Sequence, residues 1–221
     1  MVATIVVGLA IAGPVRTPDG VAMFTMGGHG AKLIFFHVPC AWLASLAYIV
    51  GAIYAVRVLL SGGKSPEVQA DLDIKACTAM ELGLVFAFLA TVTGSIFSHN
   101  EWLTFWNWRE PRMVSIFVIL LIFAAYLVLR QAVDNPTRRA RLAAAYALVS
   151  VVPGMFLIWV LPRMVATLHG DANQAVMGNN LGGMYRPVLR YLALPAFLGL
   201  FGWMFQLGVR AKRLAARHAA E

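Results

Sequence analysis

Apolar residues in this chain come in long blocks parted by short polar stretches, and that pattern narrows the possible folds more than any other feature. Six blocks stand out, at about 2–12, 33–60, 76–97, 113–131, 142–161 and 188–209. At about 1.5 Å of rise per residue, the last five are each long enough to cross about 30 Å of hydrocarbon as helices. Lipid offers the backbone no hydrogen bonds, so only helices and closed barrels can span it. The blocks lack the alternation of barrel strands, which leaves helices. Composition excludes a soluble fold independently: 60% of the 221 residues are hydrophobic and only 13% charged, too little charge to keep a surface in water. The expected fold is therefore all-α, a polytopic bundle of about six transmembrane helices forming one integral membrane domain over 1–221. The first block is short and begins at Met1 with no basic residue before it. It reads as a tilted span, a signal-peptide core or the tail of a longer helix. A span is favoured, because six crossings put both termini on one side.

The net charge of +8 does not imply nucleic acid, since the basic residues stand between the blocks, where positive charge sets membrane orientation. Eleven of the 18 Lys and Arg residues fall on one side: Arg57, Lys64 and Lys75, then Arg130, Arg138, Arg139 and Arg141, then Arg210, Lys212, Arg213 and Arg217. The other seven are Arg16, Lys32, Arg109, Arg112, Arg163, Arg186 and Arg190. The excess places the loops at about 61–75 and 132–141, and the tail at 210–221, in the cytoplasm. The connections at about 13–32, 98–112 and 162–187 are then extracytoplasmic. Cys40 and Cys77 form neither a CxxC pair nor a CxxCH haem-attachment site and read as small apolar residues.

Residues able to carry chemistry gather on the outer connections. Phe36-His37-Val38-Pro39 opens the second block. Proline suits the first turn of a helix, and the histidine can offer a neutral imidazole nitrogen to a metal at the membrane surface. An interfacial histidine bonded to a carbonyl or to water is the alternative. The stretch from Ser98 to Arg112 holds Trp102, Trp106 and Trp108 with Phe105, followed by Arg109, Glu110 and Arg112. Such density makes either an interfacial belt or an apolar platform for a porphyrin, with the arginines beside it able to hold propionates. Thr167-Leu168-His169-Gly170 supplies a second outer histidine, and two histidines at one membrane level can ligate one haem iron. Arg163, Arg186 and Arg190 flank that loop, and either neutralise an anionic group or snorkel to the interface.

The order of these features resembles the CcmC/CcsA family of haem-handling proteins, known for a tryptophan-rich loop, and most closely its six-helix CcmC branch. The resemblance covers about 30–210. It rests on the His-Val-Pro at His37, on Thr93-Gly94-Ser95 before the loop, on the spacing of Trp102, Trp106 and Trp108, and on the Leu-His at His169. Two departures stand out. The family's aspartate directly after the last tryptophan is replaced by Arg109, with the acidic-Pro-basic order one residue later as Glu110-Pro111-Arg112. The loop's second residue is Leu103, where the family usually has glycine. The resemblance implies a multi-pass protein of the inner membrane that binds haem b transiently at the outer face and delivers it to a haem chaperone or apocytochrome c. It implies His37 and His169 as axial ligands, with Trp102, Trp106, Trp108 and Glu110 in the loop that cradles the porphyrin. Arg112, with Arg109 or Arg186, would pair with the propionates. Its implied partners are membrane lipid, that chaperone, and an ABC-type ATPase with its membrane subunit.

Two other readings remain open. A cytochrome b-type electron-transfer subunit usually carries its ligand histidines within the spans, and no block interior here holds one. A transporter permease without haem tends to place polar residues and broken helices at mid-membrane, where Gly94 and Pro153-Gly154 are the only hints. No nucleophile or acid–base pair stands out, so an enzyme acting alone is not expected.

Overall fold

The computed structural model describes residues 1–11, 32–168 and 185–218. Among these, five helices are long and apolar enough to cross a membrane: α2 (Ile34–Leu59), α3 (Pro66–Trp102), α4 (Pro111–Gln131), α5 (Pro136–Met164) and α6 (Tyr185–His218). Before them stands α1, a short helical segment of Val2–Ile5 continued by a π-helical Val6–Ile11. The sixth expected crossing is thus represented, among the described residues, by a segment of about ten residues. At about 1.5 Å per residue it is shorter than the hydrocarbon layer.

Three of the five long helices start in the same way. A polar residue in extended conformation is followed by proline at the first helical position: Ser65-Pro66, Glu110-Pro111 and Asn135-Pro136. Proline fits there because its φ is already helical and its missing N–H would have had no partner. Asn135 completes its cap by accepting the backbone N–H of Arg138 at 2.9 Å. These caps make the connections shorter than the sequence pattern suggests. α3 runs 37 residues, so the expected 61–75 loop is already helical from Pro66. The expected 98–112 loop shrinks to 103–110 and the 132–141 loop to 132–135. A helix of that length, about 55 Å, outreaches the roughly 30 Å of hydrocarbon. α2 begins at Ile34, which sets Pro39 in its second turn rather than its first.

α2 is the central helix, packed on α3, α5 and α6, while α4 lies against α3 and α5. Without a hydrophobic drive between helices in lipid, close approach of small residues matters. Gly154 of α5 shows it: a Cβ there would lie 2.2 Å from the Tyr48 ring of α2. Tyr48 in turn packs against Phe123 of α4 at 4.6 Å between ring centroids. Prolines mark where the ladder widens. The π-helical turn Phe156–Val160 lies between Pro153 and Pro162, and Val188–Ala193 lies just before Pro195.

At the end of the bundle that carries Arg57, Lys75 and Arg130, ion pairs tie the helices together. Arg130 of α4 holds Asp73 of α3 with both nitrogens, at 2.6 and 2.8 Å. Arg213 of α6 reaches Asp71, and Lys212 pairs with Glu81 at 2.6 Å while donating to Cys77 Sγ at 3.2 Å. Glu81, a carboxylate inside a span, is therefore a helix-to-helix tie.

Candidate functional site

The opposite end opens into a cleft between α2, α3, α4, α5 and the 103–110 connection. It measures about 720 Å³ with the space at its mouth included. His37 of α2, Gly94 of α3, Trp106 of the connection, Arg112 and Ser115 of α4, and Ile158 of α5 are among its lining residues.

His37 is held by α3. Its Nδ1 lies 3.0 Å from the carbonyl of Ala90 and 3.3 Å from Thr93 Oγ1. A carbonyl can only accept, so Nδ1 carries the proton. Thr93 donates its own hydroxyl to the Leu89 carbonyl at 2.8 Å, which leaves its oxygen free to accept as well. In the neutral imidazole the lone pair is then on Nε2. That is the nitrogen available to a metal, with its tautomer and ring angle set by the bond on the other side. The ring comes close to Gly94: a Cβ at that position would stand 2.8 Å from His37 Cε1 and 3.2 Å from Nδ1. Thr93 and Gly94 thus form the seat of the histidine, one by its oxygen and the other by having no side chain.

The connection between α3 and α4 folds by local rules. α3 ends at Leu103, which turns left-handed at φ 56° while its N–H still reaches His99 O at 3.0 Å. Glycine adopts that conformation without strain, whereas a leucine carries the cost of its Cβ there. Ser98 Oγ donates to Thr104 O at 2.6 Å, and Thr104 Oγ1 to Trp106 O at 2.9 Å. Asn107 then starts a β-turn: its carbonyl accepts the N–H of Glu110 at 3.0 Å and its side chain accepts that of Arg109 at 2.9 Å.

These turns separate the tryptophans. Trp102 ends α3 and packs edge-on against Phe97. Trp106 lines the cleft, and its Nε1 is buried with no hydrogen-bond partner among the described residues. Trp108 is 64% exposed and meets Trp106 and Phe117 edge-on, at 5.5 and 5.3 Å. The three rings do not share a plane. Arg112 lines the cleft from the first turn of α4, whereas Arg109 lies exposed on the turn. Glu110 is buried, and its Oε2 accepts the backbone N–H of Leu168 at 2.7 Å. Arg186 opens α6, whose neighbouring Tyr185 stacks on Phe35 at 5.2 Å. Phe35 and His37 are two residues apart on one helix, hence about 200° apart around it, so the Phe35 contact and the cleft lie on different faces of α2. His169 lies outside the described residues.

Of the residues singled out in the sequence, the structure brings His37, Trp106 and Arg112 to one cleft. Trp102, Trp108, Arg109 and Arg186 are not among its lining residues, and Glu110 supports the next connection. Ser115 went unnoticed in the sequence. It lies one turn beyond Arg112 on the same face, and its hydroxyl is buried with no hydrogen-bond partner among the described residues. A helical period counted on from Arg112 would have found it. An imidazole lone pair, an indole N–H, a hydroxyl and a guanidinium in one cleft suit a metal-bearing planar group with carboxylate arms.

Comparison with known proteins gives the same direction. A protein of Bradyrhizobium diazoefficiens named Heme exporter protein C is 33% identical over 153 residues, 69% of this chain and 55% of that protein. The matched stretch therefore spans little more than half the length of that relative. Heme exporter protein C of Paracoccus denitrificans is 29% identical over 88% of this chain and 79% of its own. A ccmC-like mitochondrial protein of Marchantia polymorpha, named for cytochrome c biosynthesis, is 28% identical over 83% of this chain and 74% of its own. The family model described as CcmC, heme exporter protein C, matches residues 1–221, and the chain belongs to that family.

Proposed function

We propose that this multi-pass membrane protein handles haem for cytochrome c biogenesis, holding it at the cleft end of the bundle and releasing it to an acceptor. His37 carries the reading: Nδ1 is tied to Ala90 O at 3.0 Å, so Nε2 keeps its lone pair. The names of the family and of its relatives support haem as cargo, and the cytochrome c biosynthesis relative supports the pathway.

His37 ligates the iron through Nε2, and His169 is the second axial ligand suggested by the family resemblance. Trp106 offers its ring and its N–H, and Arg112 its guanidinium to a propionate. The haem is b-type and bound transiently. A ligand near the membrane boundary suits a protein that must give its cargo up. The acceptor is a periplasmic haem chaperone or apocytochrome c, and an ABC-type ATPase with its membrane subunit is the partner assembly. The protein sits in the inner membrane with the cleft on the outer face and the C-terminus in the cytoplasm, the side to which most basic residues belong.

The test is an absorption spectrum of the detergent-purified protein supplied with haem, beside His37→Ala and His169→Ala. Both variants should lose the haem band or shift it. No haem band in the wild type would defeat the reading, and a wild-type spectrum in H37A would remove His37 from it.

A further inference from the structure

Glu110 stands at the junction of three parts of the cleft end. Its backbone N–H closes the turn that begins at Asn107 and carries Trp108. Its carbonyl accepts from Met113 and Val114, both at 3.1 Å, which starts the helix that carries Arg112 and Ser115. Its side chain does something separate. At 1% exposure it turns inward, and its Oε2 accepts the peptide N–H of Leu168 from 58 positions further along the chain. A carboxylate to N–H bond of 2.7 Å in a buried setting is of the strong, charge-assisted kind. It is directional, so it fixes where the connection after α5 leaves the bundle.

We infer that Glu110 is a positioning residue, whose carboxylate fastens the connection after α5 to the tryptophan turn. The inference rests on the proposed haem function and deepens it. The cleft's groups come from both sides of this fastening: Trp106 and Arg112 flank Glu110 itself, and Pro162 ends the wall supplied by α5. Leu168 directly precedes His169 in sequence. The fastening therefore holds the residue next in sequence to the second ligand that the family resemblance suggests.

The test compares full-length wild type with E110A and E110Q in detergent, with haem supplied as hemin. Hydrogen–deuterium exchange at the Leu168 amide reads the fastening. Exchange should rise roughly tenfold in E110A, as expected when a charged acceptor is lost, and rise less in E110Q, whose amide oxygen still accepts but without the charge. Haem titration reads the consequence. Affinity should fall about 10–100-fold in E110A, the range for groups that orient a metal ligand, with a shifted haem band, and E110Q should fall between E110A and wild type in both. If E110A does not fold, E110M fills the same space without an acceptor and takes its place. Equal Leu168 exchange in all three proteins overturns the inference, as does a wild-type haem affinity and spectrum in E110A. If wild type binds no haem, the functional reading fails, and Leu168 exchange alone decides whether the carboxylate fastens the connection.

Discussion

The two ends of the bundle treat polar groups in opposite ways. At the basic end, charges mostly close on one another: Arg130 on Asp73, Arg213 on Asp71, Lys212 on Glu81, with Arg139 Nε the one buried atom there that lacks a hydrogen-bond partner among the described residues. These pairs join α3 to α4 and α6. At the cleft end, the Trp106 indole N–H and the Ser115 hydroxyl are buried without a hydrogen-bond partner among the described residues, and His37 is held by one nitrogen so that the other keeps its lone pair. A buried polar group left open costs free energy. An end that keeps such groups together is what the proposed haem function needs. Glu110 is the exception that joins both habits, a closed bond located at the open end.

Breaking the closed end should cost the most stability. Asp73→Ala leaves Arg130 without its bidentate partner at a site where both side chains are 14% exposed. A loss of about 3–5 kcal/mol is expected, measured by thermal unfolding in detergent, with the haem spectrum of the surviving folded protein unchanged. A large spectral change in that variant would dissolve the distinction between the two ends. The open end should respond the other way, with a smaller stability change and a larger spectral one. Gly94→Ala places a methyl group 2.8 Å from His37 Cε1. It should cost about 1–3 kcal/mol as overpacking, and it should weaken or shift the haem band by turning the imidazole off Ala90. The smallest effect is expected at Leu103, held left-handed at φ 56° and 84% exposed. Leu103→Gly should raise stability by about 1 kcal/mol by relieving that conformation, with haem binding unaffected. A loss of stability there would mean that the leucine side chain has a contact worth more than the strain.

Much of the helix layout was legible because its signals are local. Long apolar blocks give the spans, but the helix starts at Ser65-Pro66 and Asn135-Pro136, which proline marks through the chemistry of the first turn, went unread and left the expected loops too long. The end of α3 was missed in the same way. α3 stays helical through Ser98–Trp102, past the apolar block, because polar residues are tolerated in a helix that has left the hydrocarbon. That extension puts Trp102 on a helix with Phe97 instead of in the loop.

The sequence by itself determined a membrane bundle, the family, and the residue types capable of holding haem: a histidine at a helix start, a tryptophan-rich connection, arginines beside it. Those follow from hydrophobic block length and from motifs within a few residues of each other. Only the tertiary structure decided which of the candidates meet. Trp106 turns into the cleft while Trp108, two residues later, turns out from the second position of the turn that Asn107 opens and Glu110 closes. Arg112 and Arg186 look alike in the sequence, yet one lines the His37 cleft while the other opens a helix packed on Phe35. The seat of His37 on Gly94 and Ala90 spans more than 50 positions. Contacts at such separation depend on how α2 and α3 pack, and packing is a property of the assembled bundle.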